Sequence, residues 1–217
     1  MAKPAKTDVV AALLERHGRT FAEEIGIDLS RNTPSPLFRW LCASILFSAR
    51  IGAKQAISAA RALTDTGWTT AEKMAASSWE ERTRVLNRSG YARYDESTSR
   101  MLGDVAVIMR DRYQGDLRRL REQAGTEPDE ERRLLKDFKG IGDVGADIFM
   151  REVQVVWPEL YPFSDKKAIA AAKRLGLADD AASLAQLVDR EDYPRLLAAL
   201  VRTDLADDYD TILDATG

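Results

Sequence analysis

The sequence of 217 residues contains few of the side chains on which metal centres and many catalytic triads depend. Its one cysteine, Cys42, excludes an internal disulfide and any iron–sulfur or zinc site held by four cysteines. The apolar neighbours of Cys42 indicate a buried, unreactive thiol. The one histidine, His17, lies near the end of the first predicted helix, so a histidine-based triad or metal centre is not expected. We therefore predict no metal and no cofactor.

Long apolar runs are also lacking. No stretch approaches the roughly 18 apolar residues of a membrane span, and the first ten residues, MAKPAKTDVV, lack the apolar core of a signal peptide. Hydrophobic residues make up 45% and charged residues 31% of the chain, which is typical of a globular protein. We expect no membrane partner and a cytoplasmic location.

The net charge of −3 does not indicate a polyanionic partner. However, residues 203–217 hold five aspartates and no lysine or arginine. Without these five the chain would have 32 basic and 30 acidic residues. Charge thus neither favours nor excludes nucleic acid, and the tail is expected to be a solvated end.

Apolar residues recur at helical spacing, and no stretch alternates with the period of a strand. We therefore predict an all-α fold. The segment 37–49 follows two prolines, is almost wholly apolar and is expected at the centre of the protein. The predicted helices are 9–17, 37–49, 54–63, 71–76, 79–87, 95–113, 117–123, 128–137, 144–157, 164–175, 181–188 and 193–205.

The most informative segment is 131–171, in which two helical runs meet at Gly140-Ile141-Gly142. Two glycines permit a tight turn, and the amides from Gly142 to Val144 would then point outward at the positive end of the following helix. Such an arrangement binds phosphate, so a DNA backbone is the indicated partner. Lys139 would add a phosphate contact or be a solvated lysine. The alternative is a tight interhelical turn without a ligand.

Asp165, in the segment PFSDKKAI, lies about twenty residues beyond this hairpin at the start of a predicted helix. Ser164 is its expected N-cap. By position alone, Asp165 is a first-turn residue that interacts favourably with the helix dipole.

With these features, residues 134–149 (LLKDFKGIGDVGADIF) resemble the helix–hairpin–helix of the endonuclease III-like DNA glycosylase superfamily. Residues 41–63 resemble the helix pair that carries Leu-Ser-Ala-Gln in these enzymes, and the resemblance covers roughly residues 36–205. Lys139 replaces the usual hairpin proline. The positions that match in type are Phe138, Gly140, Ile141, Gly142, Gly145 and Ala146.

The resemblance implies that Asp165 is the catalytic aspartate of a base-excision repair glycosylase. Such an enzyme flips a damaged or mispaired base from double-stranded DNA and hydrolyses its N-glycosidic bond. Asp165 would stabilise the positive charge that develops on the sugar and orient the attacking water. The expected protein is a monomer, associated with the nucleoid when bound to DNA.

Two departures from the superfamily pattern narrow this expectation. Val144 occupies the position at which bifunctional members carry a Schiff-base lysine, and valine is not a nucleophile. A monofunctional glycosylase without AP-lyase activity is therefore expected. The C-terminal four-cysteine cluster of many relatives is also absent, which places the chain among members without an iron–sulfur cluster.

Other DNA contacts are implied by order along the chain. Arg50 stands where the superfamily has a glutamine that fills the gap left by the flipped base. The alternative is that Arg50 is a surface arginine. Tyr91 is a candidate wedge for the opposite strand, with a core position as the alternative. The remaining candidates form an aromatic pocket for a cationic alkylated base, unless they belong to the core. They are Phe38, Trp40 and Phe47.

The implied architecture has two helical lobes, with a six-helix lobe at 34–150 and a second lobe formed by 1–33 and 151–217 that carries Asp165. DNA would span the cleft between them. Two other functions stay open. One is a DNA-binding protein that keeps the hairpin without catalysis, and the other is a helical interaction protein in which the hairpin is only a turn.

Overall fold

The computed structural model describes residues 4–216, and within this range every regular element is helical, as predicted. Short 3-10 turns lie at Leu29–Arg31, Pro158–Leu160 and Arg190–Asp192. The α-helices of the described range are α1 (Lys6–His17), α2 (Phe21–Glu24), α3 (Pro34–Ser48), α4 (Ala53–Asp65), α5 (Ala71–Ala75), α6 (Trp79–Arg88), α7 (Asp95–Tyr113), α8 (Leu117–Gln123), α9 (Pro128–Lys136), α10 (Asp143–Val153), α11 (Lys166–Arg174), α12 (Ala181–Ala185), α13 (Tyr193–Ala206) and α14 (Tyr209–Asp214).

Local sequence signals account for most helix ends. A capping box starts α6, in which the Ser78 hydroxyl accepts from the Glu81 amide while the Glu81 carboxylate accepts from the Ser78 amide. Proline occupies the first turn of α3, where its missing amide hydrogen costs nothing. The prediction missed the short helices α2 and α14, which lie in segments that the sequence analysis did not predict to be helical.

Helix α3 lies at the centre of the core, as its apolar sequence predicts. Ten of its residues are buried, and it packs against α4 on one side and α10 on another. Helices α5 and α6 pack against α7. The second helix of the hairpin, α10, is therefore held against the most buried helix of the protein.

The terminal segments pack against each other. Helix α1 contacts α13 and α14, and α11 also packs on α13. Glu152 of α10 joins these parts, because its buried carboxylate accepts the amides of Phe21 (2.9 Å) and Ala22 (2.8 Å) at the start of α2. Helix α10 continues to Val153, past the predicted boundary at residue 150, and the exact division into lobes stays a prediction.

The acidic tail is docked on the protein, contrary to the expectation of a solvated end. Asp204 pairs with Lys167 at 3.1 Å, and Asp207 pairs with Arg174 at the same distance. Asp208 contacts Arg16 and, at 3.0 Å, His17, and the hydrogen bond from Arg16 lowers the pKa of Asp208. These ion pairs neutralise much of the charge that the sequence concentrates there. Separately, no helix within residues 4–216 is long and apolar enough to cross a membrane.

Candidate active site

The hairpin between α9 and α10 is closed by a hydrogen bond from the Ile141 amide to the Phe138 carbonyl (3.0 Å). Both side chains are buried, and the Phe138 ring packs against Tyr113 at 5.8 Å between centroids. Only one of the two glycines adopts a conformation that requires glycine. Gly140 has φ +95°, whereas Gly142 has φ −92°, which any residue can adopt.

The start of α10 is open to solvent. Gly142, Asp143 and Val144 are exposed, and within residues 4–216 no acceptor bonds to their amides. A methyl group on Gly142 would meet no atom within 4 Å. The amides therefore present a free anion site at the positive end of an eleven-residue helix, with room for close approach.

Charged side chains surround this site. The Asp143 carboxylate is 2.7 Å from Nζ of Lys136 and 3.4 Å from Nη2 of Arg132, and the hydrogen bond from Lys136 lowers the pKa of Asp143. Lys139 is exposed, and its ammonium lies 3.2 Å from the Asp104 carboxylate. The negative charge of Asp143, which lies beside the candidate phosphate site, is thus balanced by the cations Lys136 and Arg132.

Asp165 is the N-cap of α11, a position that the sequence analysis wrongly gave to Ser164. Its Oδ1 accepts the amides of Lys167 (2.9 Å) and Ala168 (3.1 Å). These bonds satisfy two amides that the helix itself leaves without acceptors. The side chain is only 6% exposed, so its orientation is fixed by the fold.

The other oxygen of Asp165 is paired with Arg151 of α10. Nη1 of Arg151 donates to Oδ2 over 2.8 Å, and both residues are buried. Sequence reasoning missed Arg151, although an Arg-Glu pair inside the apolar run IFMREVQVV was a visible signal. A carboxylate accepts about four hydrogen bonds. Three are made here, so the orientation of the Asp165 carboxylate is fixed and one acceptor position is left.

A cavity of about 700 Å³ brings the hairpin and Asp165 together. Val144 in the first turn of α10 and Asp165, the N-cap of α11, both line it. The same cavity receives residues from the loop after α3 and from α13. Further lining residues are Phe21, Phe47, Ile51, Arg132, Asp147, Ile148, Arg151, Lys166, Lys167, Val201 and Leu205.

Arg132 fixes the hairpin beside this cavity. It extends from α9 to Asp147 on α10, with Nη1 and Oδ1 2.6 Å apart. The two helices of the hairpin are therefore joined by an ion pair as well as by the turn. Sequence reasoning did not identify this pair, because its partners are fifteen residues apart on different helices.

Tyr91 is not available as a wedge, which corrects the sequence-based expectation. Its ring is fully buried, and its hydroxyl donates to the Leu46 carbonyl at the end of α3 (3.1 Å). The alternative stated from sequence, a core position, is the one observed. Arg93, two residues later, is exposed in the same loop.

Two of the three aromatic pocket candidates are also core residues. Phe38 is buried, and the buried Trp40 donates its indole N–H to the Phe149 carbonyl over 3.1 Å. The cavity is lined by Phe47, which is half-buried in the last turn of α3, and by Phe21, a residue that sequence reasoning missed. The two rings meet edge-on with centroids 5.3 Å apart.

The remaining predicted residues lie at the surface. Arg50 is exposed directly after α3, beside the cavity residue Ile51. Val144 is 59% exposed at the cavity rim, and Leu205 is 52% exposed there.

The fold and this site define an endonuclease III-like helix–hairpin–helix architecture. A solved structure of a non-covalent endonuclease III–DNA complex matches with a TM-score of 0.57 and 18% identity, covering 91% of this chain and 81% of the other. A trapped endonuclease III–DNA covalent intermediate, an estranged-adenine complex, matches with a TM-score of 0.49 and 18% identity, over 75% of this chain and 71% of the other. No protein-family model matches the sequence, and a comparison with curated proteins finds no significant match.

Proposed function

We propose that this protein is a DNA base-excision repair glycosylase that hydrolyses the N-glycosidic bond of a damaged or mispaired base. The observation that carries the proposal is the shared cavity. It brings an open helix N-terminus suited to phosphate and a fixed aspartate suited to an oxocarbenium-like sugar onto one surface. The solved structure that matches with a TM-score of 0.57 is a non-covalent endonuclease III–DNA complex, which supports DNA as the partner by analogy.

In the proposed reaction the hairpin amides hold a backbone phosphate and the nucleotide turns into the cavity. Cleavage leaves positive charge on the sugar, which the carboxylate of Asp165 stabilises from its fixed position. The ion pair between Asp165 and Arg151 holds the carboxylate in position, so the carboxylate does not have to move as the charge on the sugar develops. The electron pair of the broken C1′–N bond leaves with the base, water adds to C1′ of the sugar, and the proton that the water loses neutralises the departing base.

The proposal includes the absence of lyase activity through residue 144. Val144 lines the cavity where a lysine would have to stand to form a Schiff base, and its side chain carries no nucleophile. Borohydride trapping on abasic DNA should therefore give no covalent adduct, whereas Val144→Lys should form one. An efficient adduct with the wild-type protein would contradict this reasoning and would direct attention to Lys166, an exposed lysine in the same cavity.

Base release from duplex oligonucleotides carrying different lesions and mismatches tests the activity itself. Asp165→Asn should lower single-turnover release by about 100-fold or more, the usual effect of removing a group that stabilises transition-state charge. Asp180→Asn is the matched control, because Asp180 also caps a helix, α12, by accepting the Ser183 amide (2.8 Å), and it does not line the cavity. Equal activity in wild type and Asp165→Asn would refute the catalytic role.

A second function is favoured by one observation. Three of the hydrogen-bonding positions of Asp165 are already occupied, one of them by a cation that offsets its charge. A helix cap and a buried ion pair are structural roles, which Asp165 would keep in a non-catalytic helix–hairpin–helix DNA-binding protein. Tight binding to lesion-containing duplexes without release of any base would favour that function.

A further inference from the structure

The guanidinium of Arg151 is the least satisfied buried group at the cavity. Arginine has five N–H donors. Within residues 4–216 Arg151 uses one of them, in its bond to Asp165, and its Nε is buried without an acceptor. Buried donors are nearly always paired, and an unpaired one is destabilising. Arg151 is 4% exposed and lines the cavity, and its Nη2 is neither bonded nor fully buried, so a molecule bound there would meet Nη2.

Arg151 is also rigidly placed. Its guanidinium carbon lies 5.5 Å from the centre of the Phe21 ring, and Asp165 fixes one end of the planar group. A planar donor that is held in this way suits an acceptor of fixed geometry, such as a carbonyl oxygen at the edge of a base.

The charges around the cavity disfavour a cationic ligand. Each carboxylate that lines it already has a cationic partner: Asp165 has Arg151, while Asp143 and Asp147 have Arg132. Lys166, in contrast, forms no ion pair within the described residues and adds positive charge. A cationic base would meet four cationic side chains in the lining (Arg132, Arg151, Lys166 and Lys167) against three carboxylates that are already paired.

The aromatic side chains give no compensating attraction for a cation. Phe21 is already contacted by two guanidinium groups, from Arg151 and, at 4.0 Å, from Arg202. Phe38 and Trp40 are in the core and do not line the cavity. Phe47 is thus the one ring of the predicted aromatic pocket that is available to a base.

We infer that Arg151 determines which base the cavity accepts: it donates hydrogen bonds to a carbonyl oxygen of a neutral base and disfavours cationic alkylated bases. This inference rests on the proposed function, of which it names the substrate class. Arg151 is then a specificity-determining residue, and its hydrogen bond to Asp165 orients its guanidinium group.

Equilibrium binding tests the inference without depending on catalysis. One duplex carries a 2′-fluoro uracil nucleotide, a neutral base with two carbonyl groups whose glycosidic bond resists hydrolysis. The other carries N1-methyladenine, a cationic base without a carbonyl group. The wild-type protein should prefer the uracil duplex by about 10-fold or more, because Arg151 can donate to a carbonyl oxygen of uracil and finds no such acceptor on N1-methyladenine.

The informative variant is the double substitution Arg151→Met with Asp165→Asn, which removes both charges and leaves no unpaired ion in the interior. Its preference should fall below about 3-fold, while its affinity for an undamaged duplex and its thermal unfolding stay near wild type. Arg151→Lys keeps the charge but loses the planar donor fork, and should have an intermediate preference.

A wild-type preference for the cationic base, or an unchanged preference in the double variant, would overturn the inference. If the uracil preference depends on Arg151 but no lesion is hydrolysed, the inference stands and the proposed glycosylase activity fails. If cationic bases are released faster than neutral ones, the glycosylase activity stands and the inference fails. No binding to any duplex would overturn both.

Discussion

The two hairpin glycines offer the sharpest separation between folding and DNA binding. Gly140 has φ +95°, and a methyl group there would lie 2.8 Å from Sδ of Met101 and 3.3 Å from Cγ2 of Ile45. The backbone conformation costs a residue with a Cβ about 1–2 kcal/mol. Overpacking adds about 1 kcal/mol, at the low end of its usual range because methionine is adaptable. Gly140→Ala should therefore reduce the free energy of unfolding by about 2–3 kcal/mol, which lowers Tm by about 5–10 °C.

Gly142→Ala should leave stability intact and weaken DNA binding. Its φ of −92° suits alanine, and no atom lies within 4 Å of the new methyl group, so stability should be unchanged or rise by up to about 1 kcal/mol. The methyl group would, however, cover the open amides and hinder a phosphate, so duplex binding should weaken by about 10-fold. Urea unfolding and fluorescence anisotropy measure the two effects. If Gly142→Ala binds DNA as tightly as wild type, the hairpin is not the phosphate site.

Three further predictions concern single side chains. Tyr91→Phe removes the bond to the Leu46 carbonyl and should cost about 1–2 kcal/mol in urea unfolding without changing duplex affinity; a binding defect at full stability would restore Tyr91 as a DNA contact. Asp143→Asn removes an anion beside the open amides and should tighten duplex binding several-fold in anisotropy at low salt, with weaker binding counting against the phosphate site. Burial and the neighbouring Glu159 raise the pKa of Glu131 from 4.5 to about 8. Between these two pH values Glu131 is protonated in the folded protein and ionised in the unfolded chain, so the free energy of unfolding of the wild type should fall as the pH rises from 4.5 to about 8. Glutamine cannot ionise, so the difference in free energy of unfolding between Glu131→Gln and wild type, measured in urea, should shift in favour of the variant by about 1–3 kcal/mol from pH ~5 to pH ~9. A difference that is the same at both pH values would refute the raised pKa.

Sequence reasoning was most successful where local physics decides the outcome. The bounds of α7 and α8 agree with the prediction, and α6 begins at the capping box formed by Ser78 and Glu81. The all-helical fold is confirmed for the described residues by the absence of strands. Errors arose at short helices and at caps such as Asp165, where neighbouring polar residues compete for the same role.

The sequence by itself determined the order of helices, the hairpin at Gly140 and the presence of an aspartate about twenty residues beyond it, since these depend on periodicity, glycine conformation and helix starts. Only the tertiary structure decided which side chains meet. Trp40 and Phe47 share a face of α3, yet α10 covers the first while the second borders the cavity. The partnership of Arg151 with Asp165 likewise joins two helices, and no local pattern encodes which cation a buried carboxylate will face. Packing between distant segments set both outcomes, because burial and ion pairing depend on the partner surface as well as on the residue.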